Sequence, residues 1–432
     1  MPDWAPVSQR EGSVSSVRVT TLPGGLRVAS DSMDGVETVS LGCWVGVGTR
    51  NERAEINGVA HLCEHMIFKG TETRSAYAIS EQIENVGGHL NAYTTREHTA
   101  YYAKVLAGDA PLALDIVADM LQHSVFDEEE LARERAVVIQ EIGQAIDTPD
   151  DIVFDHFQVT AYPDQALGRP VLGSVETVSR LERPALIEYL RRHYGAPGIV
   201  VSAAGRIDHD QLVGLAEAAF KSLPRHSECR IEPAQYRGGD YREHRDLEQL
   251  HLIIGFKGLS VHDPDYYAHS VLSTLLGGGM SSRLFQEVRE KRGLVYSIYS
   301  FAGTYQDGGL FGIYAGTGPD EAKELVPLLC HEICRVADDV TEDELARARA
   351  QLKAGTLMAL ESTMSRCEHL AQQLLVYGRP IPIEEMVRKI DGVDLETVRR
   401  MARRLRQERP TVAALGPLET LESYDRIATR LE

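Results

Sequence analysis

Apolar residues in this chain come in two rhythms. Short runs rich in β-branched residues read as strands, and longer stretches with a three-to-four residue spacing read as helices. Near the start, Ser16–Thr21 and Leu26–Ser30 flank Pro23-Gly24-Gly25, the pattern of a hairpin. Val39–Val47 and Thr99–Leu106 are further strand candidates, with helical stretches between and after them. This order predicts an α+β fold in which a largely antiparallel sheet is covered by helices, an α/β sandwich.

The pattern is written twice. Asp127-Glu128-Glu129-Glu130-Leu131-Ala132-Arg133-Glu134-Arg135-Ala136 opens one helix, and Thr341-Glu342-Asp343-Glu344-Leu345-Ala346-Arg347-Ala348-Arg349-Ala350 opens another 214 residues later. Each start reads as a capping box: Asp127 or Thr341 accepts from the backbone, and Glu130 or Glu344 reaches back. Ile199-Val200-Val201-Ser202-Ala203-Ala204-Gly205 and Thr411-Val412-Ala413-Ala414-Leu415-Gly416 both read as buried strands after a basic helix, with final glycines 211 residues apart. A period of roughly 200 residues is a duplicated domain and not a solenoid repeat. The polar segment around Gly238-Gly239 reads as the joint. The expected organisation is a first domain over 14–223, a linker over 224–245 and a degenerate duplicate over 246–432.

Composition narrows the function classes. At 432 residues the chain is too long for one ordinary core and suits two. No apolar stretch approaches the roughly 20 residues of a membrane helix. Met1-Pro2-Asp3-Trp4-Ala5-Pro6 has neither a basic nor an apolar region of the secretory kind, so a cytoplasmic location is expected. The net charge of −19 argues against a nucleic-acid partner and is compatible with basic peptides. Six scattered cysteines are no disulfide framework, and Cys330-His331-Glu332-Ile333-Cys334 reads as a helix face.

The chemistry concentrates in Asn57-Gly58-Val59-Ala60-His61-Leu62-Cys63-Glu64-His65-Met66-Ile67-Phe68-Lys69-Gly70. Asn57 is the expected helix cap and Lys69-Gly70 the stop. His61 and His65, one turn apart, can converge on one ion, with Glu64 beside them. Val59, Leu62 and Met66 lie on the other side and can anchor the helix. A catalytic zinc takes three protein ligands and keeps an open position. The helix begun by Asp127 offers the third, because Glu134 and Glu141 are two turns apart on one face. Shifted by 214 residues they fall on Ala348 and Gly355, and the comparable Leu272-Ser273-Thr274-Leu275-Leu276-Gly277 carries no histidine. One copy keeps every ligand type and the other has none, as expected of residues that work as a unit. His61, His65 and one of these two carboxylates are therefore the candidate Zn2+ ligands.

His61-Leu62-Cys63-Glu64-His65, with Glu141 76 residues after the second histidine, resembles the inverted zincins of the pitrilysin and insulysin superfamily. Within it, the chain is similar to the short-chain branch that includes the mitochondrial processing peptidase. The likeness extends through Phe68-Lys69-Gly70-Thr71, Gly87-Gly88-His89-Leu90-Asn91-Ala92-Tyr93-Thr94, Ser281-Ser282-Arg283-Leu284-Phe285 and Arg289-Glu290-Lys291-Arg292-Gly293-Leu294-Val295-Tyr296. Cys63, where a larger apolar residue is commoner, is the one departure noted in the motif.

The resemblance implies a zinc metalloendopeptidase of processing type, with His61, His65 and Glu141 holding Zn2+, Glu64 moving the proton of the attacking water and Glu134 orienting a ligand. It implies that Asn91 and Ala92 lie on an edge strand that takes up extended peptide. Arg289 and Tyr296 would hold the substrate from the opposite wall. It further implies a homodimer with a closed chamber, because the chain supplies one half-molecule of two domains. Two alternatives stay open at this point: a degradative oligopeptidase of short peptides, and a non-catalytic scaffold of the respiratory-complex core type.

Overall fold

The computed structural model describes residues 16–432. The N-terminal stretch read as lacking a secretory signal, and the expected domain start at residue 14, lie outside the described residues. The first half builds a six-stranded sheet from β1 (Val17–Thr21), β2 (Arg27–Ser32), β3 (Thr38–Val45), β4 (His89–Thr94), β5 (Thr99–Leu106) and β6 (Ile199–Gly205), in the order β1-β2-β6-β3-β5-β4. The second half builds a five-stranded sheet from β7 (Gly239–His244), β8 (Leu250–Lys257), β9 (Val295–Thr304), β10 (Gly309–Thr317) and β11 (Thr411–Gly416), in the order β7-β11-β8-β10-β9. Without β1 the two orders correspond strand for strand. Each sheet has one parallel pair, β2 with β6 and β7 with β11, and is otherwise antiparallel. The expected duplication is thus a duplication of topology, and the expected α+β class holds.

Each sheet is buried on both faces. On one face of each sheet lies its own half's main apolar core. The other face is covered by a helix from the opposite half. The Thr363–Tyr377 helix packs on β2, β3 and β6 through Cys367, Leu370, Ala371 and Leu374, against Ala29, Trp44, Ala100 and Val200. Reciprocally, the Pro149–Ala161 helix packs on β7, β8 and β11 through Val153, Phe157 and Ala161. Gly255 makes this approach possible, since a Cβ there would stand 2.4 Å from the Phe157 ring. Double-sided burial explains why β6 is buried along its whole length and reads as an unbroken apolar run. Arg50 ties the halves together: fully buried, it pairs with Glu97 at 2.6 Å and with Asp307 at 2.6 Å, and donates to the Glu232 carbonyl at 2.8 Å.

Three local expectations are revised. The polar segment 224–245 is not all linker, because β7 lies inside it as an edge strand of the second sheet. Thr341 and Glu344 form the capping box, but Asp127 alone caps its helix, accepting from Glu129 and Glu130 backbone N–H groups while the Glu130 carboxylate turns to Arg133. Asn57 does not cap the His61 helix. Gly58 occupies that position with a positive φ of 97°, where a Cβ would also meet the Leu172 carbonyl at 2.8 Å, and a glutamate from upstream does the capping.

Candidate metal centre

The histidine helix spans Val59–Ile67 and buries Val59, Ala60, Leu62, Cys63, Met66 and Ile67 against the first core. Its first turn is held by Glu52, whose buried carboxylate accepts from Gly58 N at 2.9 Å, Ala60 N at 2.7 Å and Asn57 Nδ2 at 2.8 Å. A carboxylate here satisfies backbone groups that a helix start leaves unpaired, and it complements the positive end of the helix dipole. Burial pushes the Glu52 carboxyl up to about 7, against the pull of those hydrogen bonds and of Arg169.

On the opposite face the imidazoles of His61 and His65 stand edge to face, their centroids 4.7 Å apart. Glu141, on the Glu128–Ile146 helix packed alongside, brings Oε2 to 3.8 Å from His61 Nε2 and 3.5 Å from His65 Nε2. The three ligand atoms lie within 4.8 Å of one another. Ligands about 2.0–2.1 Å from a tetrahedral ion are about 3.3–3.4 Å apart, so the set fits a zinc ion after small side-chain adjustments.

The protonation states suit ligation as well. Burial, with His65 nearby, pushes His61 down to about 4, so its ring is neutral at pH 7. His65 Nδ1 lies 3.0 Å from Glu134 Oε2 and donates to it, which turns Nε2 toward Glu141. Glu134 is buried and also receives Lys69 Nζ at 2.7 Å. Burial raises its pKa, but the Lys69 and His65 hydrogen bonds outweigh this and leave the carboxyl below its ordinary value.

Glu64 sits on the same helix without joining the ligand set. Its Oε2 accepts from Thr94 Oγ1 at 2.5 Å, and burial raises its pKa despite that bond. Thr94 ends β4, the outermost strand of the first sheet, which also carries Asn91 and Ala92. Asn91 is exposed, and its Oδ1 accepts from Ala92 N at 2.8 Å, occupying a backbone donor on the sheet's free edge.

Arg289 and Tyr296 come together elsewhere. Arg289 lies in the Phe285–Glu290 turn, its guanidinium 5.7 Å from the centre of the Tyr296 ring. Tyr296, at the start of the edge strand β9, is 77% exposed. No hydrogen bond, ion pair or ring contact among the described residues joins this pair to the histidines.

Sequence reasoning missed Glu52, Lys69 and Thr94. Lys69 was within reach, since it follows His65 by one helical turn, and Thr94 shares the strand face of Leu90 and Ala92. Nothing local marks Glu52.

Known proteins resemble this chain over most of its length. The family model described as Insulinase (Peptidase family M16) matches residues 27–175, and that described as Peptidase M16 inactive domain matches residues 180–352. An uncharacterised zinc protease of Streptomyces coelicolor is 41% identical over 98% of this chain and 93% of its own length. The mitochondrial-processing peptidase subunit beta of Mus musculus is 39% identical over 97% of this chain and 88% of its own. Among solved structures, a protease from Helicobacter pylori has a TM-score of 0.85 at 23% identity, over 93% of this chain and 100% of that one. A chain of complex III2 from Candida albicans has a TM-score of 0.86 at 23% identity, over 96% and 99%. At these identities the two structures speak for the fold alone. With close relatives spanning nearly its whole length, the chain belongs to the insulinase family of zinc metallopeptidases, peptidase family M16, as a short-chain member.

Proposed function

We propose that this chain is itself a zinc-dependent metalloendopeptidase that cleaves extended peptides or precursor segments. The observation that carries this reading is the convergence of His61, His65 and Glu141 within 4.8 Å, with Glu64 on the same helix but outside the ligand set. A zinc ion held there would supply Lewis acidity and a water of lowered pKa. Glu64 then takes the proton of the attacking water and passes it to the leaving amine, held in position by Thr94. Glu134 fixes the His65 ring.

Extended peptide adds to the free edge of β4 at Asn91 and Ala92, giving up the local Asn91–Ala92 contact. Arg289, half-buried, and Tyr296, exposed, share no contact with the histidines among the described residues and act on substrate from a facing wall. We assign that wall to a second copy, which makes the active form a homodimer enclosing a chamber. The six free cysteines fit a reducing, cytoplasmic compartment. The intact ligand set disfavours the purely scaffolding alternative.

Zinc analysis and peptide digestion test the central claim. The purified chain should hold about one zinc and lose activity to a chelator, and Glu64→Gln should keep zinc while losing roughly 10²–10⁴-fold in turnover. Full activity after verified metal removal would overturn it. Mixing Glu64→Gln with Tyr296→Phe chains tests the homodimer. Activity should return as mixed dimers form, and no recovery despite subunit exchange would place the pair in its own chain. Product mapping on a mixed peptide library separates processing from degradation.

A further inference from the structure

Where the two halves meet, a cavity of about 560 Å³ opens, lined by residues of both. This volume and an interdomain position are typical of small-ligand sites. None of His61, Glu64, His65 or Glu141 lines it.

The charges on its wall do not balance. Arg27, at the head of β2, is its one cation among the described residues other than histidine. Arg27 Nη1 donates to the Leu374 carbonyl at 2.6 Å, and no carboxylate pairs with it among the described residues. Burial holds its pKa below the ordinary arginine value. The one carboxylate on the wall, Glu97, is already taken by Arg50 at 2.6 Å and by the Gln306 backbone N–H. His98 is pushed down to about 4 by burial, and burial lowers His369 as well, so neither ring adds charge at neutral pH. The lining is also aromatic: Tyr266 and Tyr267 stand edge to face at 5.1 Å, and Tyr377 joins them on the wall. A half-buried cation without a counter-ion gains from an anionic partner, and tyrosine rings gain from a flat apolar body.

We infer that this cavity is a binding site for a small monoanion with an aromatic or apolar body. The anionic group pairs with Arg27, and the body lies against Tyr266, Tyr267 and Tyr377. The inference does not depend on the peptidase reading, because its test measures binding and not cleavage.

The probe is 8-anilinonaphthalene-1-sulfonate, an aromatic monoanion whose fluorescence rises on burial. The folded full chain should show one saturable site. Arg27→Met, which removes the charge, and Thr356→Phe, which fills the cavity from the second half, should each weaken it at least about 10-fold. Arg27→Lys should retain most of the binding, and circular dichroism checks that each variant is folded. If Arg27→Met does not fold, Thr356→Phe and Arg27→Lys decide the matter. The inference fails if saturable binding is absent, or if the folded variants bind as wild type does. It fails equally if a peptide substrate displaces the probe while Thr356→Phe leaves its affinity unchanged.

Discussion

Replacing Glu52 by alanine removes the acceptor that starts the histidine helix. Three donors lose their partner: Gly58 N, Ala60 N and Asn57 Nδ2, at 2.9, 2.7 and 2.8 Å. Asn57 keeps a second acceptor, the Pro170 carbonyl at 3.1 Å, so its loss is partial. The two backbone N–H groups sit under a carboxylate only 5% exposed and have no alternative protein acceptor. A buried donor without a partner costs about 1–3 kcal/mol. Against this stands the relief of removing a carboxylate that burial holds near 7. The net loss for Glu52→Ala is about 2–4 kcal/mol. Glu52→Gln keeps one acceptor oxygen and drops the charge but turns its NH2 toward a remaining donor, so it should cost about 1–3 kcal/mol.

The assay is urea unfolding followed by tryptophan fluorescence, with Trp44 buried in the same sheet as reporter. Zinc affinity is measured alongside. Because His61 directly follows Ala60, loosening the first turn should weaken metal binding in the alanine variant before the domain unfolds. A Glu52→Ala chain within about 0.5 kcal/mol of wild type would refute the capping argument, since surface substitutions fall in that range.

Three further outcomes follow from the same geometry. Glu134→Gln should weaken zinc affinity about 10–100-fold in a metal-buffered titration, and Glu141→Gln should lose far more; equal affinities in Glu141→Gln and wild type would point to a different third ligand. Thr94→Val should lower kcat with zinc content unchanged, and Thr94→Ser should restore it; a change in KM alone would remove Thr94 from the positioning of Glu64. Asp119, bonded to Thr71, Thr73 and Arg74, has its pKa held below the ordinary 3.8 by those bonds despite burial. Its stabilising contribution is therefore present above about 4 and lost as pH falls through the lower folded value, so the stability gap between wild type and Asp119→Asn should narrow on acidification; a constant gap would contradict this.

The metal site was legible because its signals are local and periodic. His61, Glu64 and His65 share a few residues of one helix, and the two-turn spacing of Glu134 and Glu141 puts both carboxylates on the face that meets it. The ranking of those two carboxylates came from the resemblance, and the geometry supports it: Glu141 approaches both imidazoles, while Glu134 meets only that of His65. Asn57 misled because Asn before a helix is a good cap in isolation. A glutamate five residues upstream offers two oxygens to three donors, and its fit depends on a loop conformation that no periodicity encodes.

The mutual exchange of helices was illegible for a different reason. Nothing local distinguishes Pro149–Ala161 and Thr363–Tyr377 from helices that pack on their own halves. The apolar runs of β6 and β11 announce strands buried on both faces, but they do not say which helix covers the second face. The covering bonds are all long-range: Ser202 Oγ donates to the Cys367 carbonyl at 2.8 Å, Arg366 pairs with Asp31 at 2.8 Å, and Tyr162 Oη donates to the Gly309 carbonyl at 2.7 Å. Reciprocal covering means that neither sheet is fully buried without the other half. The duplicate that lost every ligand therefore cannot be discarded, because it supplies the outer cover of the sheet whose edge carries Thr94, Asn91 and Ala92. Its retention alongside an intact set of candidate metal ligands is what this packing requires, whether or not Arg289 and Tyr296 ever touch substrate.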